Sequence, residues 1–142
     1  MIKENQKLIR LRSEDKELTC IVCPIGCQMT VERQPDGELK VTGNRCKRGV
    51  AYAVEEFNDP RRVVTATAAV SGGATGRLPV RSAGSVPVDR IAPFLAAIYE
   101  LRLEAPISLG KTVAADVAGT GIDLVATMDI PRAAEGQVEG EL

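Results

Sequence analysis

The sequence predicts an α+β protein, with an N-terminal cysteine-rich β-hairpin module followed by a small β-sheet with one main helix. Short β-prone segments bounded by Gly and Pro occur in both halves of the 142 residues, and two other segments have helical periodicity. Only 3% of the residues are aromatic, so we expect Val, Ile, Leu and Ala to build the core. The expected modules are residues 1–60, residues 61–128 and a flexible tail, residues 129–142.

The first module is predicted to contain a β-hairpin. Segments 29–33, "MTVER", and 39–43, "LKVTG", are β-prone, and "QPDGE" joins them. Pro35 and Gly37 in this connection are typical of a hairpin turn. The turn should bring Cys46 back towards the three cysteines that precede the hairpin.

A helix is predicted directly after Cys46. The segment "KRGVAYAVEEFND" has a helical period that places Val50, Val54 and Phe57 on one face. Pro60 follows Asp59 and should end the helix, because proline lacks the N–H that helical hydrogen bonding requires.

The second module is predicted to combine two hairpins with the main helix. Segments 61–70 and 77–84 are expected to be strands, and "SGGATG" is interpreted as the turn between them. A second hairpin should form from segments 112–117 and 122–128 around "AGTG". We therefore expect glycine turns at both places, because neither segment has the remaining residues of a nucleotide-binding motif.

Between these hairpins, residues 86–101 have the pattern of an amphipathic helix. Its expected apolar stripe comprises Ile91, Phe94, Leu95 and Ile98. Pro93 requires the helix to start near Asp89 or later, so that the proline lies in the first turn. The last segment, residues 129–142, carries four acidic residues and one basic residue, and we expect it to be loosely ordered.

Charge and composition exclude several classes of function. The net charge is −1, and neither half has the strongly basic character of a nucleic-acid binder. Histidine is absent, which removes the commonest general base and every mixed Cys/His zinc site. The sequence predicts neither a signal peptide nor a membrane span, so we expect a cytoplasmic protein whose thiols stay reduced.

The four cysteines are the strongest functional signal. Cys20, Cys23, Cys27 and Cys46 have the spacing C-x2-C-x3-C-x18-C. Three thiolates from one short loop and a distant fourth are typical of 4Fe-4S ligation, whereas structural zinc more often uses two separated C-x2-C pairs. The spacing therefore favours a 4Fe-4S cluster, with zinc as the alternative and a disulfide or free thiols as the third reading.

Two segments, "CIVCPIGC" and "GNRCKRG", resemble the iron-sulfur segment at the start of molybdopterin oxidoreductases. The resemblance extends to about residue 60. It implies that the four cysteines are cluster ligands and that Arg48 and Gly49 correspond to the basic residue and glycine that follow the fourth ligand.

A longer resemblance covers most of the chain. "LTCIVCPIGCQMTV", "VTGNRCKRGVAYAVEE", "DPRRVVTATAAVSGG", "LPVRS", "APISLGKTV" and "GTGIDLVAT" are similar to segments of a family of small four-cysteine bacterial and archaeal proteins of unknown function. Members of that family accompany an FAD-dependent dehydrogenase of the glycerol-3-phosphate type. The resemblance implies a flavoprotein partner.

These observations predict an iron-sulfur electron-transfer protein that is an accessory subunit of a flavin-dependent dehydrogenase. No catalytic residues are predicted, so the chain alone is not expected to be an enzyme. Residues 61–128 are expected to dock the partner. Arg45, Lys47 and Arg48 either tune the cysteine site or form a solvated basic surface. The alternative function is a zinc-binding structural or assembly module without a redox role.

Overall fold

Residues 15–134 are described by a computed structural model of the chain. The chain divides into two units, Met1–Pro60 and Arg61–Leu142. The described residues form ten β-strands and two α-helices. The structure therefore confirms the α+β class, with more sheet than helix.

The described part of unit 1 contains the strands β1 (Asp15–Thr19), β2 (Gln28–Arg33) and β3 (Leu39–Thr42). They form an antiparallel sheet of order β1-β2-β3. In the central strand, Met29 and Val31 are buried and their neighbours are not, which is the alternation expected of a sheet with one buried face. The predicted hairpin is confirmed, and β1 adds a third strand to it.

The turn between β2 and β3 has the predicted chemistry. Gly37 adopts φ +90° and its N–H donates to the carbonyl of Gln34 at 2.9 Å. The Asp36 side chain accepts a hydrogen bond from the Glu38 N–H at 2.9 Å. A glycine is needed here because the left-handed region is costly for other residues.

Helix α1 (Lys47–Asn58) begins directly after Cys46 and ends before Asp59 and Pro60, as predicted. Its buried residues are Gly49, Ala53 and Glu56. The predicted face of Val50, Val54 and Phe57 was therefore wrong: Val50 is exposed, and Phe57 packs only at the edge of the core. Two of the three buried residues, Gly49 and Ala53, are small, which lets the helix approach Met29 of the sheet closely.

In chain order the described strands of unit 2 are β4 (Arg61–Arg62), β5 (Thr65–Ser71), β6 (Arg77–Ser82), β7 (Val86–Pro87), β8 (Arg102–Glu104), β9 (Thr112–Ala114) and β10 (Leu124–Ala126). Five of them form a sheet of order β8-β5-β6-β10-β9. All neighbours in this sheet are antiparallel except β5 and β8, which are parallel. The two very short strands, β4 and β7, pair separately. Both predicted hairpins are present, β5 with β6 and β9 with β10.

Helix α2 (Ile91–Glu100) follows a short 3-10 turn, Val88–Arg90. Pro93 lies in the first turn of the helix, where its missing N–H is tolerated. Phe94 and Ile98 are fully buried. The other two predicted stripe residues, Ile91 and Leu95, pack against the same core from partly buried positions. The predicted apolar stripe is confirmed.

Each unit has its own hydrophobic core. In unit 1 the buried cluster consists of Cys20, Met29, Val31 and Ala53. In unit 2 a larger cluster extends from Val64 to Ile130 and includes both buried residues of α2.

The expected flexible tail was wrong for residues 129–134. Ile130 is buried in the core of unit 2. Its N–H donates to the Ile107 carbonyl at 2.8 Å, and the Ile107 N–H donates back at 2.9 Å. Two further backbone hydrogen bonds, from the Ala74 N–H to the Pro131 carbonyl and from the Ala133 N–H to the Gly72 carbonyl, hold the segment to the same unit. Residues 135–142 lie outside the described residues.

None of the helices within residues 15–134 is long and apolar enough to cross a membrane.

Candidate metal centre

The first three cysteines lie on the loop that joins β1 and β2. The last paired residues of these strands are Thr19 and Gln28, and the Cys20 N–H donates to the Cys27 carbonyl at 2.8 Å. The sheet therefore closes the loop at its base with two of the four cysteines. Cys20 is buried in the core of unit 1, while Cys27 is half-buried.

Cys23 lies between these two cysteines and is half-buried. Pro24, which follows it, fixes one backbone angle of the loop. Gly26 adopts φ +66° just before the chain returns to Cys27. Glycine adopts this left-handed conformation without the steric cost that a side chain would bring.

Cys46 reaches the same region from β3. The chain leaves this strand at Gly43, which has φ +87°. A side chain at Gly43 would collide with the backbone carbonyl of Gln28. The glycine therefore allows the segment to cross closely over the start of β2. The amide of Asn44 then donates to the Cys46 carbonyl at 3.2 Å.

All four cysteines line a single pocket of about 140 Å³, which we call the thiol pocket. The other residues that line it are Val22, Ile25, Asn44, Arg45, Arg48 and Gly49. The structure thus brings together the four cysteines that the sequence singled out, although β2 and β3 lie between Cys27 and Cys46 in the chain. The predicted effect of the β2–β3 turn on Cys46 is confirmed.

Cys46 is exposed and occupies the residue that precedes α1, with φ −144° and ψ 166°. No side chain caps the helix by a regular hydrogen bond. Even so, the backbone N–H groups of Gly49 and then Arg48 favour the thiolate and lower the pKa of the Cys46 thiol. The Arg48 side chain adds a smaller effect in the same direction. A helix N-terminus generally favours a negative charge.

Gly49, which lines the thiol pocket, is packed closely against neighbouring side chains. A Cβ atom added there would lie 3.1 Å from the Met29 sulfur and from the Asn44 Cβ, and 3.8 Å from the Cys20 sulfur. The resemblance implied that a glycine follows the fourth cysteine at position 49, but the sequence did not explain why a glycine is needed there. A glycine inside a helix costs about 1 kcal/mol relative to alanine. Its presence in the first turn of a predicted helix was the sequence feature that could have indicated close packing.

The charge distribution around the pocket is one-sided. Residues 20–31 contain no charged side chain, and residues 43–54 contain Arg45, Lys47 and Arg48 but no acidic residue. All three basic residues are exposed. Arg45 and Arg48 line the thiol pocket, whereas Lys47 does not.

The donor set of the pocket is made of thiols. Thiolate ligands select zinc, copper(I) and iron-sulfur clusters over hard cations such as Mg²⁺. Within residues 15–134, no three Cys, Asp or Glu side chains are arranged to hold a single metal ion. The chemistry of the four thiols is compatible with both sequence-based expectations, a 4Fe-4S cluster and zinc.

The other motifs considered in the sequence do not join this site. "SGGATG" forms the turn between β5 and β6, and "GTG" precedes β10. Glu55 is exposed whereas Glu56 is buried, so the two adjacent carboxylates do not share a surface.

Fold and pocket together define an α+β protein of two units with a four-thiol pocket in the first. The chain belongs to the family described as "Protein of unknown function (DUF1667)", whose profile matches residues 47–128. The match covers α1 and unit 2 as far as β10, and it begins at the residue after Cys46. The expected membership of a family of unknown function is confirmed.

The chain is also similar to the NMR structure of the Clostridium perfringens protein CPE0013. The two share 20% sequence identity, and the alignment covers 57% of this chain and 98% of that chain with a TM-score of 0.48. No curated protein matches the chain.

Proposed function

We propose that this protein is an iron-sulfur electron-transfer protein that holds a 4Fe-4S cluster through Cys20, Cys23, Cys27 and Cys46. The observation that carries the proposal is the thiol pocket, because residues from two distant segments place all four thiols around one space. No general acid, general base or nucleophile outside this thiol set accompanies it among the residues that line the pocket.

The arrangement of the ligands favours a cluster over a single ion. Three cysteines come from one closed loop, and the fourth comes from the start of a helix. This three-plus-one supply is typical of a 4Fe-4S cluster, whereas paired C-x2-C knuckles are typical of structural zinc.

Backbone groups in and beside the thiol pocket would position the cysteine ligands and stabilise their thiolates. The Cys20 to Cys27 hydrogen bond fixes the base of the ligand loop, and Gly26 shapes its return. The N–H groups of Gly49 and Arg48 stabilise the Cys46 thiolate, which is the form that binds metal. A cluster bound here would supply a carrier of single electrons, and exposed Cys46 would put one of its ligands at the protein surface.

For the partner, we propose a flavin-dependent dehydrogenase of the glycerol-3-phosphate type, to which this chain would be an accessory subunit in the cytoplasm. The resemblance to small four-cysteine proteins that accompany such dehydrogenases supports this assignment. The chain itself would relay electrons and not transform the substrate. Glycerol 3-phosphate should therefore reduce the cluster only when the dehydrogenase is present, which a spectrum of the mixture would record.

A zinc-stabilised structural module is the second candidate function. It is favoured by the small core of unit 1, whose hydrophobic cluster contains four buried residues within residues 15–60. Small modules commonly need a metal or disulfides in addition to a hydrophobic core.

Anaerobic purification followed by metal and sulfide analysis distinguishes the two functions. The proposed function predicts a brown protein with equal amounts of iron and acid-labile sulfide, and a paramagnetic signal after reduction with dithionite. A colourless protein that contains zinc in a one-to-one ratio would contradict it.

A further inference from the structure

The loop that carries three of the cysteines exposes its apolar side chains. Ile21 is 72% exposed, Ile25 is 61% exposed and Val22 is 41% exposed. We call these three residues the loop patch. Val22 and Ile25 also line the thiol pocket, so the patch borders its mouth.

Exposed apolar residues are not scattered through the described part of unit 1. The large hydrophobic side chains exposed there are the loop patch and Val50, which lies in the first helical turn after Cys46. The outer positions of the sheet, β1 to β3, carry mainly charged and polar side chains. Concentration of apolar surface at one place commonly marks a contact with another molecule.

Basic residues flank Cys46 in the sequence, and one of them, Arg45, lines the thiol pocket together with Val22 and Ile25 of the loop patch. Arg45 and Lys47 are exposed on either side of Cys46, and no acidic residue occurs in residues 39–54. Arg48 acts on the Cys46 thiolate. Lys47 does not line the pocket, so its charge is available to a molecule that approaches from outside.

We propose that the loop patch, with Arg45 and Lys47, is the docking face for a redox protein that presents an apolar contact bordered by carboxylates. An apolar contact with charges at its rim is the usual anatomy of a protein interface, and opposite rim charges guide association. The redox character of the partner rests on the proposed function, whereas the contact chemistry rests on the exposed residues.

Docking at this face would serve electron exchange directly. One electron would leave a reduced flavin and enter the cluster, with no bond formed or broken and no proton needed by the cluster. Because tunnelling slows steeply with distance, the partner has to contact the edge of the thiol pocket. This assignment differs from the sequence-based expectation that residues 61–128 form the docking module.

Titration of the full-length, cluster-containing protein with flavodoxin tests the proposal. Flavodoxin is a small acidic flavoprotein, and calorimetry would give the dissociation constant without relying on electron transfer. We expect Lys47→Glu and the double variant Ile21→Ser with Ile25→Ser each to weaken binding more than about fivefold, and high salt to weaken wild-type binding. The visible spectrum of each variant checks that its cluster is intact.

Unit 2 offers matched controls. Leu109 is 62% exposed, close to the value for Ile25, and Lys111 is exposed like Lys47. Leu109→Ser and Lys111→Glu should change the dissociation constant less than about twofold. Equal weakening by the control variants, or no binding of wild-type protein to flavodoxin, would overturn the docking face.

The outcomes separate this proposal from the proposed function. If the protein contains a cluster but the loop variants do not change its dissociation constant for flavodoxin, the docking face is overturned and the proposed electron-transfer function is not affected. A protein that contains zinc but binds flavodoxin with the same loop and salt dependence would support the docking face and overturn the proposed function.

Discussion

The backbone N–H of Cys20 donates to the carbonyl of Cys27 at 2.8 Å, so two of the four proposed ligands face each other across the end of a β-hairpin. The pair continues the register that Thr19 and Gln28 set in β1 and β2. A sheet therefore holds the ligand loop at its base, and only the six residues between the two cysteines are left to adapt to a bound group.

Replacing any one of the four cysteines with serine should remove or degrade the cluster, because each thiolate is assigned to one iron. Cys46→Ser is the most informative variant. Serine is a favourable residue at the start of a helix, so α1 should persist while the ligand is lost. Iron and sulfide analysis, with circular dichroism as the check on folding, would measure this. Full cluster occupancy in Cys46→Ser would rule out the four-ligand assignment.

Gly49→Ala should destabilise unit 1 and lower its iron content. A Cβ there would press on the Met29 sulfur and the Asn44 Cβ, both at 3.1 Å. Overpacking typically costs about 1–3 kcal/mol. The gain in helix propensity offsets about 1 kcal/mol of this, which leaves a net loss of up to about 2 kcal/mol.

Urea unfolding followed by circular dichroism would measure the change in the free energy of unfolding. Gly76→Ala is the matched control, since a Cβ at Gly76 meets nothing within 4 Å and its φ is not positive. The control should leave stability and iron content unchanged. Wild-type stability and iron content in Gly49→Ala would show that the close packing at this glycine does not matter.

Local chemistry made much of the fold predictable. The Pro35 and Gly37 turn specified one hairpin, and the positions of Phe94 and Ile98 specified the buried face of α2. The convergence of the four cysteines also followed from the hairpin, because its turn reverses the chain between Cys27 and Cys46.

Features that depend on tertiary packing were not predictable. The buried face of α1 uses Gly49 and Ala53, which carry almost no hydrophobic signal, and sequence periodicity therefore selected the larger Val50. Ile130 was missed for a different reason, since one large apolar residue between Asp129 and Pro131 gives no periodic pattern. In both cases the deciding contact is made with a distant part of the chain.

The pH dependence of thiol alkylation should distinguish Cys46. Its thiol has a pKa below the ordinary value, chiefly because of the Gly49 and Arg48 N–H groups. The thiolate is the reactive form, so the alkylation rate should rise with pH through a midpoint lower than that of an ordinary cysteine. Arg48→Gln removes a smaller contribution and should move the midpoint partly back to higher pH.

Iodoacetamide labelling of the metal-free protein across a pH series, with mass spectrometry of the Cys46 peptide, would give this midpoint. Lys47→Gln is a suitable control because Lys47 does not contribute to the lowered pKa of Cys46. An unchanged or lower midpoint in Arg48→Gln would contradict the assigned effect of the guanidinium.

Phe94→Ala should unfold or loosen unit 2 while leaving the cluster in place. Phe94 is fully buried in the core of unit 2, and such a substitution costs about 3–5 kcal/mol. Because unit 1 has a separate buried cluster, its iron content should stay near that of wild type. Tyr99→Ala on the same helix is the control, since Tyr99 is 56% exposed and its loss should cost little. Loss of iron in Phe94→Ala alone would show that the thiol pocket depends on the second core.

Truncation after Pro60 tests whether unit 1 alone can fold and bind the cluster. In the described part of unit 1, the buried hydrophobic cluster is formed by the ligand loop, β2 and α1, so residues 1–60 should retain a cluster. The core of the fragment is small, so chelation of the iron should lower its free energy of unfolding. Urea unfolding followed by circular dichroism before and after chelation, with iron analysis, would record both effects.

The same fragment decides where the partner docks. If the loop patch with Arg45 and Lys47 forms the contact, residues 1–60 should bind flavodoxin nearly as tightly as the full chain and with the same sensitivity to salt. If residues 61–128 form the docking module, as the sequence suggested, the fragment should keep its cluster but lose the interaction. A fragment that takes up no iron would instead show that unit 2 is required to assemble the thiol pocket. Calorimetric titration of fragment and full chain side by side, after matching their iron content, distinguishes these results, because only a cluster-loaded fragment that fails to bind places the contact in unit 2.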